Sequence, residues 1–297
     1  MIFDAHAHVN FNAFKDDAPE VIRRALDNEV WLINVGSQSS TSQRAVEIAE
    51  KYEKGVYACV GLHPIHLTSL VVDEKEIGVH FQSREEEFNS QFYSRLAQSQ
   101  KVVGIGEVGL DYYYFDQQLE TSLDNFKRKQ KEIFKEQLSL ADQLGLPVVL
   151  HCRGSKKEPE DAYWEMLEIL KEKISAGKKS LRQSEEIGGV IHCFTSSWEI
   201  GQKFIDLGFY IGFTGIITFP TASLLQETVR RLPLECLLIE TDCPYLSPQA
   251  VRGKRNEPLY VKYVAEKIAE IKKLPVKEVE QITFKNTLKV FKKIIVD

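Results

Sequence analysis

The sequence has little of what several protein classes require. Basic residues do not outnumber acidic ones: 38 Lys and Arg stand against 43 Asp and Glu, a formal net charge of −5. That argues against coating nucleic acid through global positive charge, and leaves room for a local basic rim or for metal cations. Cysteine is sparse, five in number with no regular spacing, which excludes a disulfide framework. Cys59, Cys152, Cys193 and Cys243 lie in or just after strand-like stretches, where buried thiols are common. Cys152 and Cys193 each follow a histidine, but strand alternation turns them to the opposite face, so core packing is expected for both. Reduced thiols suit a cytoplasmic location. No apolar run approaches membrane-spanning length and no basic-then-apolar leader precedes Ile2, so no membrane partner is expected. No obligate protein partner is evident. A G-x-S-x-G nucleophile elbow is missing, which removes the usual serine-hydrolase reading.

What is present is a repeated alternation of strand and helix. The chain is 43% hydrophobic and 27% charged, ordinary for a globule with a sizeable core. Apolar runs at Ile2–His6, Trp31–Gly36, Val56–Gly61, Lys101–Gly106, Pro147–Leu150, Gly189–Ile191, Phe209–Gly212 and Leu237–Glu240 read as strands. Their continuous Val/Ile/Leu character is that of strands buried on both faces of a parallel sheet. Between them, apolar residues at helical spacing predict helices. The clearest runs from Asp124 to Leu144, with Gly145 placed as its C-cap. Others are expected over Thr41–Lys54, Asp161–Ile174, Trp198–Leu207, Leu224–Leu232, Leu259–Ile271 and Val276–Ile295. The charged run Arg84–Glu87 reads as a solvated helix face. Ser175–Glu186 reads as a surface loop. Eight strand-helix units predict a single α/β domain over 1–297, a (β/α)8 TIM barrel with a metal site at the C-terminal ends of its strands. An open doubly wound sheet would normally carry a Gly-rich phosphate loop after its first strand, where this chain has His6-Ala7-His8-Val9-Asn10.

The histidines carry the chemistry. His6 and His8, two apart on a strand, project to one face. Alone, the pair is either half a metal site or a polar strand end. The third strand ends in His63, the fourth in Glu107, the fifth in His151, the sixth in His192 and the eighth in Asp242. Of seven histidines, only His66 and His80 lie elsewhere. Four histidines and two carboxylates at one rim exceed what a single ion with open positions needs. Two divalent ions are therefore expected. His6, His8, Glu107 and Asp242 are assigned to one; Glu107, as bridge, His151 and His192 to the other. Asp242 is also placed to accept a proton from the attacking water. His63 falls outside the six and reads either as a contact for substrate or leaving group, or as a loop cap beside Pro64. Such a pair of ions hydrolyses phosphate esters, amides or lactones.

These motifs resemble the TatD-type metal-dependent deoxyribonucleases, within the amidohydrolase-like barrels. The resemblance rests on Asp4-Ala5-His6-Ala7-His8, Gly61-Leu62-His63-Pro64 and, most specifically, Ile105-Gly106-Glu107-Val108-Gly109-Leu110-Asp111-Tyr112. It continues through Leu146–Arg153, His192-Cys193-Phe194, Glu240–Leu246 and Arg252–Pro258. It implies a (β/α)8 fold and the same six metal positions. It further implies hydrolysis of DNA phosphodiesters, at a strand end or in single strands, with magnesium or manganese in function; zinc or another transition metal can also bind. Other ester substrates, including mischarged tRNA, are linked to the family. Candidate substrate contacts are His63, Asp111, Tyr112, Arg153, Arg255 and Asn256. Arg153 and the Arg252–Arg255 loop form either a cationic edge for phosphate or ordinary solvated surface. Tyr112, Tyr113 and Tyr114 either stack a base or pack in part into the core. Thr195-Ser196-Ser197 departs from the family's small Ser-Gly pair, which leaves the backbone there less free to approach a phosphate; Val71–Gln100 and Gly154–Gly188 are longer than usual and follow rim positions, where they could cover or narrow the site.

Overall fold

Strands that are apolar on both faces must be covered on both, and the chain does this by closing its sheet upon itself. The computed structural model describes residues 1–69, 71–74, 79–115, 121–176 and 188–296. Eight parallel strands lie side by side in the order β1 (Ile2–Ala7), β2 (Val30–Val35), β3 (Val56–Val60), β6 (Val102–Asp111), β7 (Val148–Arg153), β8 (Gly189–Ile191), β9 (Tyr210–Phe213) and β10 (Leu237–Ile239). A separate antiparallel hairpin, β4 (Val71–Glu74) with β5 (Val79–Gln82), interrupts the sequence between β3 and β6. The order of the barrel strands is the order of the chain, so each crossover links neighbours.

The crossovers are helical: α1 (Ala18–Asp27), α2 (Ser39–Ala49), α3 (Ser90–Leu96), α4 (Leu123–Leu144), α5 (Asp161–Ala176), α6 (Trp198–Asp206), α7 (Ser223–Arg231), α8 (Val261–Lys272) and α9 (Val276–Val290). Local chemistry sets their ends. Ser122 accepts a hydrogen bond from the Asn125 N–H at the start of α4, and Gly145 stops it with φ 62°. The stripe Val21, Ile22 and Ala25 of α1 is buried against the outer face of the sheet. A second apolar cluster fills the N-terminal end of the barrel, where Phe3, Trp31 and Tyr57 meet Phe284 and Phe291 of the C-terminal segment. The Phe3 and Phe284 rings lie 5.7 Å apart. Truncating a buried ring of this kind to alanine typically costs about 3–5 kcal/mol. With that end plugged, the opposite end is left for function.

The seam between first and last strands is stitched by β1 and the segment after β10. The Asp242 N–H donates to the His6 carbonyl and the His8 N–H to the Cys243 carbonyl, each at 2.9 Å. Asp4, fully buried in β1, accepts from the Thr241 N–H at 2.8 Å and from its hydroxyl at 2.5 Å. Burial pushes the Asp4 carboxyl well above the usual range, against these hydrogen bonds.

Several expectations need correction. Arg84–Glu87 is not helical; it has no regular secondary structure, and α3 starts only at Ser90 behind the Asn89 cap. Glu86 instead accepts from the Ser39 N–H and hydroxyl at the start of α2, where an anion meets unpaired helix N–H groups. Alternating charge cannot distinguish that role from a solvated helix face. Strands β6 and β7 run beyond Glu107 and His151, to Asp111 and Arg153. Helices α2 and α9 stop short of Lys54 and Ile295. Most of the expected loop Ser175–Glu186 lies outside the described residues. Among the described residues, no helix is long and apolar enough to cross a membrane.

Candidate metal centre

Six side chains from five strands or their ends converge at the open end of the barrel. His6 Nε2 and His8 Nε2 are 3.1 Å apart. Glu107 Oε2 lies 3.5 Å from His6 Nε2 and 3.8 Å from His8 Nε2. Asp242 Oδ1 lies 3.8 Å and 3.2 Å from the same two nitrogens. A tetrahedron of ligands with metal bonds of about 2.1 Å has edges of about 3.4 Å. The five separations scatter around that edge, so this donor set fits a divalent cation at its centre. The other oxygen of Glu107 faces elsewhere. Oε1 is 2.9 Å from His151 Nδ1, 3.4 Å from His63 Nε2 and 3.7 Å from His192 Nε2.

The outward nitrogens explain how the rings are held. A carbonyl or carboxylate oxygen can only accept, so a nitrogen facing one carries the proton and leaves the other bare. His8 Nδ1 sits 2.8 Å from the Val35 carbonyl, which turns a bare Nε2 toward His6 and Asp242. His192 Nδ1 lies 2.9 Å from Glu240 Oε1, an ion-pair contact without hydrogen-bond geometry. His151 is gripped on both sides, with Nε2 2.9 Å from Asp111 Oδ2. His6 Nδ1 is buried without a hydrogen-bond partner. His6 instead stacks on His192 with ring centroids 3.5 Å apart, and Phe11 stacks on His8 at 4.2 Å.

Charge tells the same story. Glu107, Asp111 and Glu240 are buried carboxylates, and Asp242 is half-buried beside them. Buried anions at this density need compensating positive charge. Burial alone would raise Glu107, but the surrounding histidines, His63 and His192 foremost, hold it well below the usual range. Asp242 is likewise held down against burial by His192 and His8. Burial opposes charge on His192, yet Glu240, Asp242 and Glu107 outweigh it and raise it to about 10. His151 rises to about 9 against burial through Asp111 and Glu107. His6 falls to about 4 through burial and the nearby His192, so its lone pair is free for a cation at neutral pH. Where protons sit on His151 and His192, a divalent ion supplies the same balance.

A cavity of about 270 Å³ opens onto these groups. His8, His63, Glu107, His151, His192 and Asp242 line it, and so do Asp111 and Arg153. His6 lies beneath, fully buried. His63 is the loop cap foreseen beside Pro64, its Nδ1 accepting the Ile65 N–H at 3.0 Å, and its Nε2 faces Glu107 at the cavity. Arg153 lies over the Tyr113 ring at 3.7 Å and donates to the Tyr114 hydroxyl at 2.9 Å.

Three expected substrate contacts are not offered to the cavity. Tyr112 is buried in the core, with its hydroxyl donating to Glu165 at 2.9 Å. Arg255 is held by Asp17 and the Ala13 carbonyl and covers the Phe14 ring at 4.3 Å. Asn256 is fully buried, its amide donating to the Thr241 and Tyr245 carbonyls at 2.9 and 2.7 Å. It shapes the loop that carries Asp242. Asp111 reaches the cavity, but its carboxylate is spent on His151 and on the Tyr113 N–H at 3.0 Å. Cys193 also departs from expectation. It takes φ 45°, which breaks strand alternation, and its thiol lies with His192 and Asp242 at the cavity rather than in the core. Glu240 was not foreseen. Its signal is a carboxylate closing the apolar run Leu237–Ile239, two residues before Asp242.

With this geometry in view, likeness to known proteins is informative. The model of the family described as TatD related DNase matches residues 3–292. The uncharacterized metal-dependent hydrolase YabD of Bacillus subtilis is 37% identical over 98% of this chain and 99% of its own length. The uncharacterized metal-dependent hydrolase YcfH of Escherichia coli is 37% identical, covering 98% of this chain and 96% of its own. Among solved structures, the TatD homolog YjjV of Escherichia coli superimposes with a TM-score of 0.77 at 28% identity, over 98% of each chain. The family's match over residues 3–292, with relatives alike from end to end, places the chain in the TatD family of metal-dependent hydrolases.

Proposed function

We propose that the protein hydrolyses DNA phosphodiester bonds at a strand end, using two divalent ions held by His6, His8, Glu107, His151, His192 and Asp242. The observation that carries this reading is the split of Glu107, whose Oε2 faces His6 and His8 while Oε1 faces His151 and His192. A carboxylate shared in this way suits a pair of ions better than one. Magnesium or manganese suits the carboxylates in function, and the histidines also accept zinc. When bound, such ions lower the pKa of a water and stabilise charge on attacked and leaving oxygens. Asp242, on the rim of the cavity, accepts the proton of the attacking water. His63 Nε2 lines the same cavity and meets the leaving group. Arg153 holds a phosphate oxygen. The five free cysteines are in keeping with a reducing cytoplasm.

One observation favours a second reading, a smaller ester or amide. Arg255 is turned away in its own ion pairs, and Arg153 is the one Arg or Lys among the described residues that line the cavity. That suits a short substrate, whether a single unpaired nucleotide or a small molecule, over a long duplex. The test is a substrate panel: single-stranded DNA, duplex DNA, a simple phosphodiester and a lactone, each with magnesium, manganese or zinc and with chelator. Cleavage of single strands that chelator abolishes is expected. Hydrolysis of the lactone alone would overturn the nuclease reading.

A further inference from the structure

The cavity has a second face that the metal chemistry does not use. Phe11 follows β1, Ile216 lies in the turn after β9, and Tyr245 and Leu246 follow β10. All four line the cavity and all are partly exposed. Phe11 presents one ring face to His8, at 4.2 Å and 16° between planes, and Tyr245 stands edge-on to it at 6.5 Å. This face is built rather than incidental. Leu246 is held at φ 55°, a conformation leucine adopts only where its surroundings compel it. The loop after β9 packs so tightly against it that a Cβ on Gly215 would stand 2.5 Å from the Leu246 carbonyl.

One cavity therefore combines an apolar aromatic wall, a guanidinium at Arg153 and the metal donors. A nucleotide has the matching halves, a flat apolar base and an anionic phosphate. At about 270 Å³ the space is at the small end for ligand sites, enough for one nucleotide unit and too small for a base pair. We infer that Phe11, Ile216, Tyr245 and Leu246 form a shelf that takes the flat face of one unpaired terminal nucleobase. This rests on the nuclease reading above. Phe11, Ile216 and Leu246 carry no hydrogen-bonding side-chain group, so the shelf recognises the base by shape and stacking and tolerates any sequence.

The test is a ratio. In manganese, kcat/KM is measured on a single-stranded oligonucleotide whose end residue carries adenine, and on the same strand with a baseless tetrahydrofuran residue there. Both strand ends are examined. The wild-type protein is expected to favour the adenine end by about 10- to 100-fold, the span of one stacked base. Phe11→Ala and Tyr245→Ala should each bring that ratio down at least severalfold. Damage to the fold or to His8 lowers both rates together and leaves the ratio where it was. A wild-type ratio near one, or a wild-type ratio kept by both variants, overturns the shelf while leaving the nuclease intact. If neither strand is cut but methyl p-nitrophenyl phosphate is hydrolysed, the nuclease reading itself falls and the shelf loses its occupant.

Discussion

Asp242 and Glu240 stand two residues apart and carry separate tasks. Asp242 faces His6 and His8, and its φ of 56° is one that Asn tolerates as readily as Asp. Asp242→Asn should therefore keep the fold, with near-ultraviolet circular dichroism unchanged, and lose about 100-fold or more in kcat. Near-wild-type turnover would remove Asp242 from the chemistry. Glu240 is fully buried, with Oε1 accepting the Cys193 N–H at 2.5 Å and lying beside His192 Nδ1, and Oε2 without a hydrogen-bond partner. Gly212 leaves the room for it, since a Cβ there would stand 2.6 Å from Oε2. Glu240→Gln keeps the size and removes the charge that orients His192. Manganese affinity should fall about 10- to 100-fold by isothermal titration. The melting temperature of the metal-free protein should fall as well, because His192 loses the carboxylate that balances its charge. Unchanged affinity with a lowered metal-free melting temperature would make Glu240 a purely structural group. The six residues expected as metal donors could be picked from the sequence because they stand at strand ends, and the structure brings their side chains together. Tyr112, Arg255 and Asn256 sit in equally distinctive motifs, yet they hold loops; a motif shows that a residue matters and not which way it points.

At the scale of elements, the strands were legible to within a residue or two where apolar runs end in polar ones, as at Gly189–Ile191. The extension of β6 to Asp111 was not, because it depends on glycines that admit a close neighbour. Gly109 has φ 145°, and a Cβ there would lie 2.0 Å from the His151 carbonyl. Gly109→Ala must push β6 from β7 or bend the backbone, at a cost of about 2–4 kcal/mol. Urea unfolding should show it as a lower midpoint at unchanged slope, and a shift under 0.5 kcal/mol, roughly the level of an ordinary surface substitution, would contradict it. Between α4 and α5, Glu165 binds Lys131 at 3.0 Å and the Tyr112 hydroxyl. Partial burial pushes its carboxyl up, but Lys131, Tyr112 and Lys127 outweigh that and hold it below its ordinary value. A depressed carboxylate contributes stability above its unfolded pKa and loses it as pH falls through the folded value. Wild type should thus lose its stability advantage over Glu165→Gln as pH drops from about 5 to 3. A gap in urea midpoints that stays constant across that range would show the pairing to be inert.

For the whole molecule, the candidate metal donors and the barrel seam are one construction. His6 and His8 come from the first strand, Asp242 from the other end of the chain, and the backbone bonds between His6 and Asp242 and between His8 and Cys243 join the same two segments. A cation among these donors crosslinks the ends of the sheet, and Glu107, His151 and His192 extend the tie around the ring. Removing it leaves lone pairs 3.1 Å apart on His6 and His8 and leaves the carboxylates to be balanced by protons on His151 and His192 alone. A ligand that binds the folded state alone stabilises it by about 2.7 kcal/mol at 100 times its dissociation constant. For a chain of this size that is about 4 °C in melting temperature. Calorimetry in excess chelator and in excess manganese should show that difference. Hydrogen exchange locates it: without metal, the amides of His8 and Asp242 should exchange faster, while those in the middle of β3, a strand that carries none of the six donors, keep their protection. A melting temperature indifferent to metal, or a loss of protection spread evenly over all eight strands, would mean that the cation does not close the barrel.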